Sequence, residues 1–160
     1  MVDKTKAIIE YLLTCPALEN ASSYFNFVQA NDEDKQFATS ANEKVIHEPY
    51  IDGSVEKRFT FTIIDYRSVA YQELPKLFID TNENLEEYLD VQSIINWITE
   101  QNLLKNFPEF GEDCVIDSIA TTSENPNLNG VDTNVKPALA KYSISIQVDY
   151  LDTSNCNWNK

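Results

Sequence analysis

Lys141-Tyr142-Ser143-Ile144-Ser145-Ile146-Gln147-Val148-Asp149-Tyr150 has the most regular pattern in the chain. Tyr142, Ile144, Ile146, Val148 and Tyr150 fall on one side of an extended backbone, and Lys141, Ser143, Ser145, Gln147 and Asp149 on the other. A strict period of two predicts a strand with one buried face and one wet face.

Working outward, Cys114–Thr122 reads as a second late strand, with Val115, Ile116, Ile119 and Ala120 as its apolar residues. Between the two lies Thr122–Pro137, an Asn-rich stretch punctuated by Pro126, Gly130 and Pro137. It has no packing pattern and is expected to be a long loop, a kind of segment that is usually functional or mobile. Upstream, Leu85, Tyr88, Leu89, Val91, Ile94, Ile95 and Ile98 form a wide helical stripe with Trp97 at its edge. The expected helix runs Leu85–Leu104, with Asn84 as cap and Glu87 as its capping-box carboxylate, and closes at Asn106 and Pro108. Tyr71–Ile79 reads as a connection broken by Pro75.

Further upstream, Phe59, Phe61 and Ile63 alternate with Arg58, Thr60 and Thr62, and Asp52-Gly53 is a hairpin signal. A hairpin pairing Glu43–Tyr50 with Glu56–Tyr66 follows, with Pro49 restricting its far part to an edge. Tyr24–Val28 is rich in strand formers and reads as the other edge, while Asn31–Asn42 reads as a polar loop. An amphipathic helix, Asp3–Thr14, opens the chain, with Ile8, Ile9, Leu12 and Leu13 on one face, Asp3 as cap and Pro16 as terminator. The sum is an α+β domain over residues 1–152, a mixed and mainly antiparallel sheet with a long β-hairpin and two main helices on one face. Residues 153–160 are expected to be a flexible tail.

Composition fits one domain: 160 residues, 42% of them apolar, with eight Phe, eight Tyr and two Trp to fill a core. The formal charge of −14 argues against a nucleic-acid clamp and against docking on an anionic membrane. No apolar run reaches the ~20 residues of a membrane helix. The N-terminal stretch is too short and interrupted for a signal peptide, so a cytoplasmic protein with reduced thiols is expected.

Catalytic signals are missing. His47 is the only imidazole, and three glycines (Gly53, Gly111, Gly130) provide no phosphate loop. Cys15, Cys114 and Cys156 lack metal-ligand spacing, and Cys15 and Cys114 border apolar segments as small core residues. Asp32-Glu33-Asp34 lacks the glycine and distal glutamate of an EF-hand loop. The expectation is therefore no enzyme, and no catalytic, cofactor or metal residues.

The layout as a whole resembles the tail terminator proteins of tailed bacteriophages and related tail-like particles. The stretches carrying it are the helix Lys4–Thr14, the hairpin Lys44–Tyr71 with its Phe59-Thr60-Phe61-Thr62-Ile63-Ile64-Asp65-Tyr66 strand, the helix Leu85–Leu104, and the ending Tyr142–Tyr150. The resemblance covers residues 4–151 and rests on element order and texture, with no invariant motif. It implies a homohexameric ring that caps the tail tube, stops its polymerisation and offers a platform to neck or head-connector proteins. The implied partners are further copies of the chain, the major tail tube protein, the sheath protein where the tail contracts, and DNA only as cargo through the lumen. The implied location is the host cytoplasm during assembly and then the neck end of the particle. Asp32, Glu33, Asp34, Lys35, Phe37, Asn125, Asn127, Asn129 and Lys136, in the two polar loops, are the candidate contacts with tube or neighbour. The competing classes are another head–tail joining or completion protein and a small acidic protein-binding module.

Overall fold

A computed structural model describes residues 3–18, 22–25, 36–68, 81–132 and 139–155. The alternating stretch Lys141–Tyr150 lies in β6 (Leu139–Asp152), the axis of a six-stranded sheet. Along one side β6 pairs antiparallel with β3 (Val55–Ser68). Along the other it pairs antiparallel with β4 (Cys114–Thr121) and then with β5 (Asn127–Asp132). β2 (Gln36–Val45) extends the sheet beyond β3, and β1 (Ser22–Phe25) lies parallel to β2 at its edge. The order β1-β2-β3-β6-β4 is thus mixed and mainly antiparallel, and the fold is α+β.

Register turns the alternation of each strand into a face. Phe59 lies opposite Val148, Phe61 opposite Ile146, and Ile63 opposite Ile144. All six are buried, and such cross-strand pairs are the unit of sheet stability. α1 (Lys4–Leu12) and α2 (Thr81–Leu104) cover this face. α1 contributes Ile8, Tyr11 and Leu12, and α2 contributes Val91, Ile94, Ile95 and Ile98. The helices meet where the Tyr11 and Trp97 rings lie 5.1 Å apart. Phe110, beyond α2, wedges edge-on against Phe59 and Tyr150, at 5.5 Å from each. Lys4 ties α1 to the sheet: its Nζ lies 3.1 Å from Glu43 and 5.0 Å from the centre of the Tyr150 ring.

Asp3 caps α1 as expected, accepting from the amides of Thr5 and Lys6. Other boundaries differ from the sequence reading. α1 ends at Leu12, and Pro16 opens a 3-10 turn, Pro16–Leu18, that buries Ala17 and Leu18. Within α1, Tyr11 takes the place expected of Leu13, which is exposed, while Ile9 is half-buried. α2 starts at Thr81, so Asn84 lies inside the first turn and is not the cap. Leu89, expected in its stripe, is exposed.

The hairpin is longer and differently placed. β2 already begins at Gln36, so the expected loop Asn31–Asn42 is strand from that residue on. β2 ends at Val45, and Pro49 falls in the connection to β3, not in an edge strand. The physical reason is pairing: Gln36–Val45 is mostly polar, with only Phe37, Thr39 and Val45 as strand formers, but β3 offers it a continuous ladder from Tyr66 back to Lys57. Likewise β5 forms within the expected loop Thr122–Pro137, because β6 extends past β4 and leaves Leu139–Ser143 open to a partner. The Tyr24–Val28 expectation holds as an edge strand through Phe25, and its remainder lies outside the described residues, as does Tyr71–Ile79. The expected tail is held at its start, where the Thr153 amide donates to Asp113 O at 2.7 Å.

Candidate functional site

Among the described residues, the candidate contacts do not converge. Asp32, Glu33, Asp34, Lys35 and Lys136 lie outside the described residues. Phe37 sits within β2, paired with Asp65 of β3 and Ser23 of β1. Asn125 is exposed just before β5, Asn127 opens that strand opposite Ser143, and Asn129 occupies its bulge between Leu128 and Gly130. β3 and β6 stand between Phe37 and this asparagine group.

The groups with reactive chemistry are also separate. His47 is exposed; its ring stacks on Tyr50 at 4.9 Å, and its Nδ1 lies 2.8 Å from Glu48 O. Cys15 is buried and Cys114 half-buried. Burial pushes the Cys114 thiol up, with Lys4 opposing and Asp152, Asp113 and Glu43 adding to the rise. A raised thiol is a poor nucleophile at neutral pH. Among the described residues, no three His, Cys, Asp or Glu side chains gather as a metal site.

The surface of the sheet is more informative. Opposite the helices, Thr60, Thr62, Ser143, Ser145 and Gln147 are half-buried and uncharged. Thr62 Oγ1 and Ser145 Oγ lie 3.1 Å apart across strands. The Arg58–Asp149 pair, 2.7 Å from Nε to Oδ1, neutralises itself, and the carboxylate contact raises the guanidinium still further above its ordinary value.

At one end of this open face the character changes. The Ile46 amide donates to Glu56 O, Glu56 pairs with Leu151, and Leu151 pairs with Val115, a row across β3, β6 and β4. The β2–β3 turn folds back over that row. Tyr50, Ile51, Asp52, Ser54 and Leu151 line an open hollow of about 620 Å³. Ile51 is completely exposed (104%), and Ile46, Tyr50 and Val115 are exposed beside it. The turn is rigidly built. Asp52 accepts from both the amide and the hydroxyl of Ser54, which hold its carboxyl below the ordinary range. Gly53 takes φ 90, a value that suits glycine, and its amide donates to Tyr50 O. The Tyr50 hydroxyl donates to Glu56 at 2.8 Å; that bond, then burial, then the charges of Glu56 and Asp117 raise its pKa. The band therefore has an apolar centre and an acidic rim of Asp52, Glu56 and Asp117.

A second exposed apolar group lies on the helix side of the sheet. Leu103 (78%) and Leu104 (66%) end α2, followed by Lys105 at φ 55. The Asn106 amide donates to Gln101 O and the Lys105 amide to Asn102 O, a Schellman closure with lysine where glycine is usual. Asn102 Oδ1 also accepts from the Ile119 amide, so α2 blocks part of the β4 edge. At the opposite edge, β1 covers β2 only from Gln36 to Thr39. Sequence reasoning missed both apolar groups. The available signals were an isoleucine directly before Asp52-Gly53 and a leucine pair out of phase with the α2 stripe.

No protein-family model matches the chain, and no curated protein sequence matches it.

Proposed function

We propose that this protein is a structural assembly factor that caps the end of a phage or phage-like tail tube as a ring. In that role it stops tube growth and forms the platform for neck or head-connector proteins, and for the last sheath ring in a contractile tail. One observation carries the reading: the order of elements. An opening helix, a long β2–β3 hairpin, a helix laid across the sheet and the late strands β4 and β6, with the short β5 between them in the chain, pack as one α+β unit. This is the layout on which the resemblance to tail terminators rests. The hairpin arm adds support, since every residue from Ala41 to Ile51 is exposed, as expected of an element kept for contact with other chains.

The test is deletion of the gene in its particle-producing host. Loss of a terminator gives tails of uncontrolled length in electron micrographs, restored to one length by the intact gene in trans. Tails of normal length that fail to join heads would overturn the reading in favour of a joining factor.

A further inference from the structure

We propose that copies of this chain associate head to tail, the apolar band of one copy (Ile46, Tyr50, Ile51, Val115) receiving the α2 terminus (Leu103, Leu104, Lys105) of the next. The pairing takes its purpose from the ring reading above, and it specifies which surfaces of that ring meet.

Three observations lead to it. First, both groups are large, exposed and apolar in a chain of net charge −14, where like charge opposes any unguided contact between copies. Second, their charges are complementary. The band is rimmed by Asp52, Glu56 and Asp117, whereas the α2 terminus ends on a cation. Among the described residues Lys105 makes no ion pair, unlike Lys4, Lys57 and Arg58, which are each held by a carboxylate. Third, both groups are held in defined shapes. Asp52, Ser54 and Gly53 fix the turn that presents Ile51, and the Schellman closure fixes Leu103 to Lys105. Rigid presentation lowers the ordering cost of a contact. Lysine also accepts a left-handed conformation there that glycine would take more easily, which fits a side chain retained for a contact outside the monomer.

The geometry supports a head-to-tail contact. The band lies on the open face of the sheet and the α2 terminus in the helix layer on the other, so one copy can engage two neighbours at once. Different patches meeting in this way form a heterologous interface, which gives a ring when the rotation closes and a filament when it does not.

The experiment uses the full chain in sedimentation velocity over a range of concentrations. Wild type is expected to assemble beyond two chains. Ile51→Asp and Leu104→Asp each remove one half of the contact and should weaken association by roughly tenfold or more. Both positions are exposed, and circular dichroism with thermal melting checks that each variant folds. An equimolar mixture of the two variants is decisive. Each keeps one intact half, so the mixture should form a two-chain species and stop there. Lys105→Glu should weaken assembly, and Asp117→Lys in the same chain should restore part of it. Wild type that stays monomeric at every concentration would overturn the pairing, as would variants that assemble like wild type or a mixture that stays monomeric. Assembly through other surfaces would overturn this contact while leaving the ring reading intact. Deletion that leaves tail length normal would remove the ring reading while the measured contact stands.

Discussion

The two faces of β3 and β6 are made by the same strands from opposite residues. Phe59, Phe61, Ile63, Ile144, Ile146 and Val148 point toward the helices and are buried. Thr60, Thr62, Ser143, Ser145 and Gln147 point away, half-buried and without a covering layer among the described residues. One face carries the stability of the fold. The other contributes little to the core, and at one end it bears the apolar band that the monomer leaves uncovered. A sheet built this way separates the residues that hold it together from those it leaves on its surface, and each half of that separation can be tested.

The largest effect is expected on the buried face. Ile146 is fully buried between Phe61 and Thr121 in the strand register. Ile146→Ala should cost about 2–5 kcal/mol, from lost burial and from the cavity left behind. Urea unfolding followed by circular dichroism measures it as a lower midpoint at unchanged slope. A cost below about 1 kcal/mol would mean that the helices sit loosely on the sheet, and the contrast between faces would weaken.

Acid should act next, at the end of the sheet where β3 begins and β6 finishes. Burial works against the charged form of Asp152, but hydrogen bonds from Ser154 and from Lys57, the latter at 2.9 Å, outweigh it and hold the carboxyl at about 2. A carboxyl depressed by folding stabilises above its ordinary value near 3.8 and loses that contribution as pH falls toward 2. After allowance for solvent screening, the loss attributable to Asp152 is about 1–2 kcal/mol. Unfolding at pH 6 and pH 2.5 should therefore show a smaller acid loss in Asp152→Asn than in wild type. An equal acid loss in both would show that other carboxylates carry the effect.

These elements also mark what the sequence made legible. The strands with a strict period of two were readable, since burial of one face selects alternation directly, and Tyr142–Tyr150 and Phe59–Ile63 fall where alternation places them. The cap at Asp3 was readable because it depends on neighbours only two and three residues away. β2 and β5 were not. Their strand state comes from open ladders on β3 and β6 and not from their own polar residues, so the cause is remote in sequence. The surface groups were hidden for a similar reason. Val115 and Leu151 are far apart in the chain and become neighbours only through register, and Leu103 looks like one more helix leucine until α2 is seen turning it outward.

The α2 terminus allows a test in the opposite direction. Lys105→Gly removes the Cβ from a left-handed position and should stabilise the monomer by about 0.5–1 kcal/mol, seen as a higher unfolding midpoint. If the proposed contact is real, the same variant should associate more weakly despite its added stability. A gain in both would assign Lys105 no role beyond closing the helix.

The smallest effect belongs to the open face, where it sharpens the opening contrast most. Thr62 and Ser145 share a hydroxyl contact of 3.1 Å in a half-exposed setting where water competes for both groups. Thr62→Ala should cost no more than about 1 kcal/mol, the usual net size of one such hydrogen bond together with a modest loss of strand propensity. The informative quantity is the coupling in the double variant Thr62→Ala with Ser145→Ala. Independent, solvated positions add to within about 0.3–0.5 kcal/mol. A larger coupling would mean that the hydroxyl row acts as a connected network, and the open face would then share in holding the sheet together.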